Sequence, residues 1–346
     1  MAGRFEQRPT RTTVRGGRAA VPPPRPAADI RVAAGAGPGT DAGGRTRSWV
    51  PPWPLDLRLV LGPLRRGPAD PTFRAAPDGS VWRASLTPAG PGTLRVSARA
   101  GVVRGEAWGP GAEWLLDRLP LLLGESDDPG VFEPRHRLVA MARHRRPGLR
   151  LTRTGLVLES LIPSILEQKV TTDEAYRAWR TLVRKYGVPA PGPGPVGGGM
   201  SVMPEPRVWS LIPSWEWHRA GVDDKRASTI LRVVRVARRM EEAVALDARA
   251  AMERLEVVSG VGPWTSAETV QRSHGAADAV TVGDLHLPGI VGYALAGNRY
   301  ADDSVMLELL EPYAGQRHRA ARLILLSGRT PPRRRPKMPR GDIGRL

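Results

Sequence analysis

The stretch from Leu255 to Ala267 limits the fold more tightly than any other part of this chain. Gly260 and Gly262 flank Val261, and Pro263 follows at once. The periodicity from Asp247 to Val258 predicts a helix that must end there, because glycine releases the backbone from L-residue sterics. Pro263 suits the first turn of a new helix, where its missing N–H costs nothing. Two helices joined by so short a turn expose backbone amides at the second helix start. Such amides, helped by the helix dipole, attract a phosphate oxygen. An ordinary helix–helix corner with a glycine cap satisfies the same Gly-x-Gly pattern. The flanking Leu255, Val258, Thr265 and Ala267 favour the phosphate-gripping form, a helix-hairpin-helix that holds a DNA backbone without reading bases.

Charge points to the same kind of partner. The 346 residues carry 52 Lys plus Arg against 34 Asp plus Glu, a net of +18. A polyanion is the first partner to consider, nucleic acid before membrane. Only Lys169, Lys185, Lys225 and Lys337 are lysine, and Ala, Gly and Pro are abundant. That usage fits a GC-rich coding sequence, so part of the arginine count carries no binding information. There is no cysteine. Disulfides, a thiolate nucleophile, Cys-ligated zinc and a Cys-held iron–sulfur cluster are thereby excluded. No apolar run reaches the roughly 20 residues of a membrane span, and the basic N-terminus lacks a secretory apolar stretch. The expectation is a cytoplasmic monomer with no membrane contact.

The pattern divides the chain into four parts. Residues 1–48 hold nine arginines and three acids amid prolines and glycines, and residues 329–346 hold seven basic residues and one acid. Both read as disordered basic tails, since neither can bury enough surface to offset its ordering entropy. Residues 49–134 read as a small α+β domain. Val81–Leu86 and Leu94–Ala98 alternate like strands, and Gly111–Gly124 reads as a helix. Residues 135–328 read as helical. Segments 156–166, 172–186, 223–243, 247–258, 302–310 and 316–326 are its helices, and the Pro/Gly-rich 188–204 is a surface loop.

A second chemical signal follows the hairpin. Asp284 ends an apolar connection (Val280-Thr281-Val282-Gly283) and stands just before a helical stretch. It can cap that helix or aim a carboxylate into a cleft, and its pairing with the hairpin favours the cleft. His286 can be a general acid or an ordinary helix residue, and His136 and His144 read as solvated. No Walker-type loop or His/Asp metal cluster is present in the sequence.

Together these residues resemble the helix-hairpin-helix base-excision DNA glycosylases, and within them the 3-methyladenine DNA glycosylase II branch. Leu161–Thr171 resembles the family's early helix and its Gln-containing turn. Leu55–Gly62 resembles the opening of that branch's N-terminal domain. The resemblance spans about residues 50–328. It implies an α+β N-terminal domain followed by an all-α helix-hairpin-helix glycosylase domain, flanked here by the two tails.

It also implies roles. Asp284 stands at the family's catalytic aspartate. Trp264 stands where strand-cutting members carry a catalytic lysine, which implies a monofunctional enzyme without lyase activity. Trp264, Glu268, Tyr313 and His318 are the implied base pocket, less aromatic than the family pattern. Ser259, Gly260, Val261, Gly262 and Thr265 are the implied phosphate contacts. Gln168 faces the minor groove, and Lys169 occupies the place of an apolar wedge. No cofactor is implied, beyond a structural monovalent cation that hairpin carbonyls can hold. The implied partner is duplex DNA with a damaged base. The implied reaction is hydrolysis of the N-glycosidic bond of an alkylated purine, leaving an abasic site for base-excision repair. Two alternatives stay open: a damaged-DNA-binding protein without catalysis, and a glycosylase for deaminated or oxidised bases.

If the tails bind polyphosphate, deleting 1–48 and 329–346 will weaken nonspecific DNA binding and flatten its salt dependence, with base release intact. Affinity measured against salt concentration checks this; an unchanged slope shows that the tails do not touch DNA.

Overall fold

The computed structural model describes residues 44–195 and 199–332. Five strands come first: β1 (Arg45–Trp49), β2 (Phe73–Ala75), β3 (Val81–Thr87), β4 (Gly90–Arg99) and β5 (Val102–Trp108), with helix α1 (Leu57–Leu61) after β1. They form one antiparallel sheet in the order β1-β5-β4-β3-β2. Strand alternation sends Val81, Leu94, Val96, Val103 and Ala107 to one face. There α2 (Ala112–Asp117) and α3 (Leu119–Leu122) cover them with Leu115, Leu116, Leu119 and Leu122. Gly105 permits this close approach, since a Cβ there would lie 2.8 Å from Leu119. The helix expected over 111–124 is two short ones, because Pro120 starts a second helix after Arg118.

Strand β1 corrects the extent of the N-terminal tail. Arg45–Ser48 fell in the segment expected to be disordered, yet they pair in register with β5, Arg45 opposite Ala107. The remaining tail residues, 1–43 and 333–346, lie outside the described residues. The informative truncation for the salt experiment therefore removes 1–43 and 333–346 and spares the edge strand.

The other sheet face carries Trp82 and Trp108, stacked at 5.5 Å. The segment expected as a surface loop covers them. It forms a two-stranded ribbon of β6 (Val188–Pro189) and β7 (Ser201–Val202) and packs Met200 and Val202 onto Trp82. Those two apolar side chains need cover, which an exposed loop would not provide.

The remaining chain is helical: α4 (Arg137–His144), α5 (Leu158–Leu166), α6 (Thr172–Tyr186), α7 (Pro206–Ser210), α8 (Ser214–Arg219), α9 (Asp224–Arg235), α10 (Ala237–Glu241), α11 (Ala248–Glu256), α12 (Pro263–Ser273), α13 (Leu287–Ala296), α14 (Asp303–Leu310) and α15 (Arg317–Ser327). The single helix expected over 223–243 breaks at Val236, whose backbone leaves the helical region. Helix α6 begins with a capping box between Thr171 and Glu174. Helix α5 is the central rod. Leu158, Leu161, Ile162, Ile165 and Leu166 are buried among α6, α9, α11 and α12. A second core gathers α4, α13, α14 and α15 around Phe132, Val291, Met306 and Leu310. All described residues belong to one compact unit. Among them, no helix is long and apolar enough to cross a membrane, and no group of His, Asp and Glu could hold a metal ion.

Buried ion pairs tie the layers. Arg66 of the N-terminal segment bonds Glu167 at the end of α5 (2.7 Å), and Arg83 of β3 pairs with Glu159 of α5. Asp70 accepts from Trp179 Nε1 of α6 (3.1 Å) and from the Arg66 amide (2.6 Å). Asp127 pairs with Arg319 of α15, both nearly inaccessible, and also accepts from the Leu151 amide (2.9 Å). Asp127→Asn removes the counter-ion of a buried guanidinium. The expected cost is about 3–5 kcal/mol in denaturant-derived stability; a loss below about 1 kcal/mol would show that Arg319 finds other solvation.

Candidate active site

The hairpin forms as the glycines require. Leu255 and Val261 sit in the helical core and anchor its two sides. Gly260 takes φ +98°, and a Cβ there would lie 2.2 Å from Thr229 Oγ1. Only glycine fits on both counts. Arg232 Nε donates to the Ser259 carbonyl (2.9 Å). Gln168 Nε2 donates to the Gly260 carbonyl (3.0 Å) and to Thr265 Oγ1 (2.8 Å). Helix α12 starts at Pro263 with Gly262 as its cap residue, and no side chain caps its first turn. Its first amides are left for an outside acceptor.

Two of these findings revise expectations. Val261 is not a surface contact: it is 5% exposed, and its amide bonds the Val258 carbonyl (2.9 Å). Its role is to seat the turn. Gln168 spends its amide N–H groups bracing the hairpin, so only its carbonyl oxygen remains for another partner. A monovalent cation on the hairpin carbonyls would compete with Arg232 and Gln168 at Ser259 and Gly260.

Asp284 lies at the mouth of the turn that leads into α13. Gly283 takes φ +84°, and its amide is held by Asp303 Oδ2 (2.9 Å). Asp284 Oδ1 accepts from the amides of His286 and Leu287, each at 2.8 Å. Asp284 Oδ2 accepts from Trp264 Nε1 at 3.0 Å. Asp284 is not the cap residue of α13, which is His286; it braces the turn that leads into that helix through the His286 and Leu287 amides, and it lines an open cleft. His286 and Leu285 stand exposed beside it at the cleft rim.

That cleft has a volume of about 2640 Å³. Its walls are the Gln168–Thr171 turn, the start of α9, the hairpin, the Asp284 turn and the N-terminal segment from Gly62 to Arg66. Lys169, exposed and in the left-handed region at φ +54°, lines it together with Lys225, Arg232 and Arg299. Trp264 is half-buried in its wall.

A polar cluster also lines the cleft. Glu268 bonds Arg272 (2.7 Å), whose Nε donates to the Pro63 carbonyl (2.9 Å). The Arg66–Glu167 pair and Tyr176 of α6 complete it. Burial alone would depress the Arg272 pKa, but Glu268, Glu167 and Tyr176 outweigh it and raise the value. Burial and then Glu167 push the Tyr176 phenol up, so it stays a protonated donor. The sequence reading found Glu268 but missed Tyr176, Arg66 and Arg272. Tyr176 sat in an amphipathic helix with no motif to mark it, and the arginines were lost in a chain full of them.

Two expected pocket residues lie elsewhere. Tyr313 is 2% exposed, stacks on Phe132 at 5.5 Å, and bonds His136 through its hydroxyl (2.7 Å to Nδ1). It is a core residue, and His136 is its partner rather than a solvated surface group. His318 is half-buried outside the cleft lining. Burial, then Arg322, Arg272 and Arg319, hold its pKa well below the ordinary value, so it is neutral at pH 7.

No family model and no curated protein matches this chain. Solved structures do. A Clostridium acetobutylicum 8-oxoguanine glycosylase/lyase bound to duplex DNA superposes with a TM-score of 0.64 at 13% identity, over 87% of this chain and 97% of that one. A 3-methyladenine DNA-glycosylase from Archaeoglobus fulgidus gives 0.62 at 18% identity, over 81% and 96%. MBOgg1 in complex with a low-affinity DNA ligand gives 0.65 at 14% identity, over 87% and 98%. These three superpositions, at 13–18% identity, show that the chain shares the overall fold of those DNA glycosylases.

Proposed function

We propose that the chain is a monofunctional DNA glycosylase that hydrolyses the N-glycosidic bond of a damaged base in duplex DNA. One observation carries the reading: Asp284 presents a fixed carboxylate to an open cleft beside the phosphate-ready hairpin. A target base leaves the stack to enter such a site. As the bond to the base breaks, positive charge develops at C1′, and a carboxylate nearby stabilises it. Water adds to C1′, the base departs with the bonding electrons, and the water's proton passes to the carboxylate or solvent. Trp264 stands beside Asp284 where a Schiff-base lysine would have to stand, which favours hydrolysis over strand cutting. The proposed partner is damaged duplex DNA, bound by a monomer.

Alkylated purines of the 3-methyladenine type are the first substrate class. Such bases are cationic and leave easily, and the half-buried Trp264 ring offers them a π-surface. A second class, deaminated or oxidised bases, is favoured by a separate observation. The Glu268–Arg272 and Arg66–Glu167 pairs and the Tyr176 hydroxyl add hydrogen-bond donors and acceptors to the cleft beside the Trp264 face.

Base release from duplexes carrying 3-methyladenine, 7-methylguanine, hypoxanthine or 8-oxoguanine tests both classes. Wild type should release at least one of these bases, and Asp284→Asn should lose at least about 100-fold in single-turnover rate. Borohydride should trap no covalent complex. Equal rates for the two proteins would overturn the mechanism, and a trapped adduct would overturn the monofunctional reading. The hairpin supplies a second check. Gly260→Ala forces a Cβ onto Thr229 in a left-handed backbone, so duplex affinity should fall at least about tenfold. Unchanged affinity would remove the hairpin from the interface.

A further inference from the structure

The lone pairs of Asp284 are nearly all spoken for. A carboxylate offers about four acceptor sites on its two oxygens. Two on Oδ1 are taken by the His286 and Leu287 amides. One on Oδ2 is taken by the indole N–H of Trp264. The backbone donors fix one oxygen, but a carboxylate held at one oxygen can still turn about its side-chain bonds. The third donor, from a different helix, removes that freedom. Trp264 has little latitude itself: it lies in the first turn of α12, directly after Pro263 and the hairpin.

We infer that Trp264 is a positioning residue for Asp284: its indole N–H holds Oδ2 so that one lone pair faces the cleft. This rests on the glycosylase reading above and deepens it. The tryptophan then has two separable uses. Its ring face is part of the cleft wall, and its N–H fixes the orientation of the reacting carboxylate. A charge-assisted hydrogen bond of this kind is worth more than a neutral one, and catalysis depends on sub-ångström placement of the group that meets developing charge. The one open lone pair also limits what Asp284 can do. It can face C1′ or accept a proton from the attacking water, one partner at a time.

Trp264→Phe separates the two uses, because phenylalanine keeps an aromatic face and lacks the N–H. The expected result is a single-turnover rate about 10- to 100-fold below wild type. Affinity for lesion duplex should fall by much less than the rate, and the thermal midpoint should stay close to wild type; a merely structural role would lower the midpoint, and a pure stacking role would lower affinity as much as rate. In the Asp284→Asn background the same substitution should add little, because the two residues act as one unit. A Trp264→Phe rate within twofold of wild type overturns the inference while leaving the glycosylase reading intact. A second measurement needs no turnover and no folded Trp264 variant. In ¹⁵N-labelled free protein, the Trp264 indole N–H should exchange slowly with solvent, and Asp284→Ala should speed that exchange. Should wild type release no base at all, the glycosylase reading fails, and this exchange measurement still decides the contact. Equal exchange in both proteins shows that Oδ2 does not hold the indole and overturns the inference.

Discussion

A guanidinium taken out of water needs a carboxylate or a carbonyl to meet it, and the joints of this molecule are built on that requirement. Arg66 bonds Glu167, Arg83 pairs with Glu159, Arg319 pairs with Asp127, and Arg226 bonds both Asp223 and the Leu166 carbonyl. Arg272 reaches from α12 to the Pro63 carbonyl, and Arg322 from α15 to the Leu59 carbonyl. Each contact joins elements that are not neighbours in sequence, except the Arg226–Asp223 cap. Such pairs add little net stability over apolar packing, but a lost partner leaves a stranded charge, so they enforce one arrangement. The sheet and the helical layer are thus held in register by directional contacts. Burial of β3 and α5 supplies the drive.

The same arginines change what the net charge of +18 means. Among the described residues Arg66, Arg83, Arg226 and Arg319 are buried against carboxylates and add nothing to the net. Burial, and then the nearby Arg272 and Arg319, bring the Arg322 pKa down to about 10. The cations facing the cleft, such as Lys169, Lys225, Arg232 and Arg299, are a small share of the total. In the proposed function, overall charge would bring DNA nearer, while the grip would fall to hairpin amides and a few cleft cations.

Local signals in the sequence predicted local structure well. Gly260, Gly262 and Pro263 dictated a turn whose backbone few other residues could adopt, and the pattern over 172–186 matched α6. Asp284 was legible because it follows the hairpin at the end of an apolar connection, although the cap of α13 proves to be His286. What the residues could not show was distance in space. Tyr313 was placed in the pocket by its position along the chain, but Phe132 and His136 draw it into a core. Tyr176 was passed over because nothing adjacent in sequence marks a residue that reaches the cleft from another helix. Strand β1 was hidden for a different reason: Arg45–Ser48 form an edge, half exposed, and their pairing partner lies sixty residues downstream. Edge strands need little apolar content, so composition does not reveal them.

Gln168 links two regions that a duplex would touch together. Its side chain ties the turn after α5 to the hairpin between α11 and α12, and Arg232 ties that hairpin to α9. The ends of α5, α11 and α12 and the last turn of α9 are therefore braced against one another, which resists their sliding apart. In a complex with the proposed duplex partner, the strain of fitting would then fall on the nucleic acid. Sites where stacking or pairing is already weakened bend and open at least cost. A rigid mouth would in this way sort DNA by how easily it yields, before any atom of a base reaches Asp284.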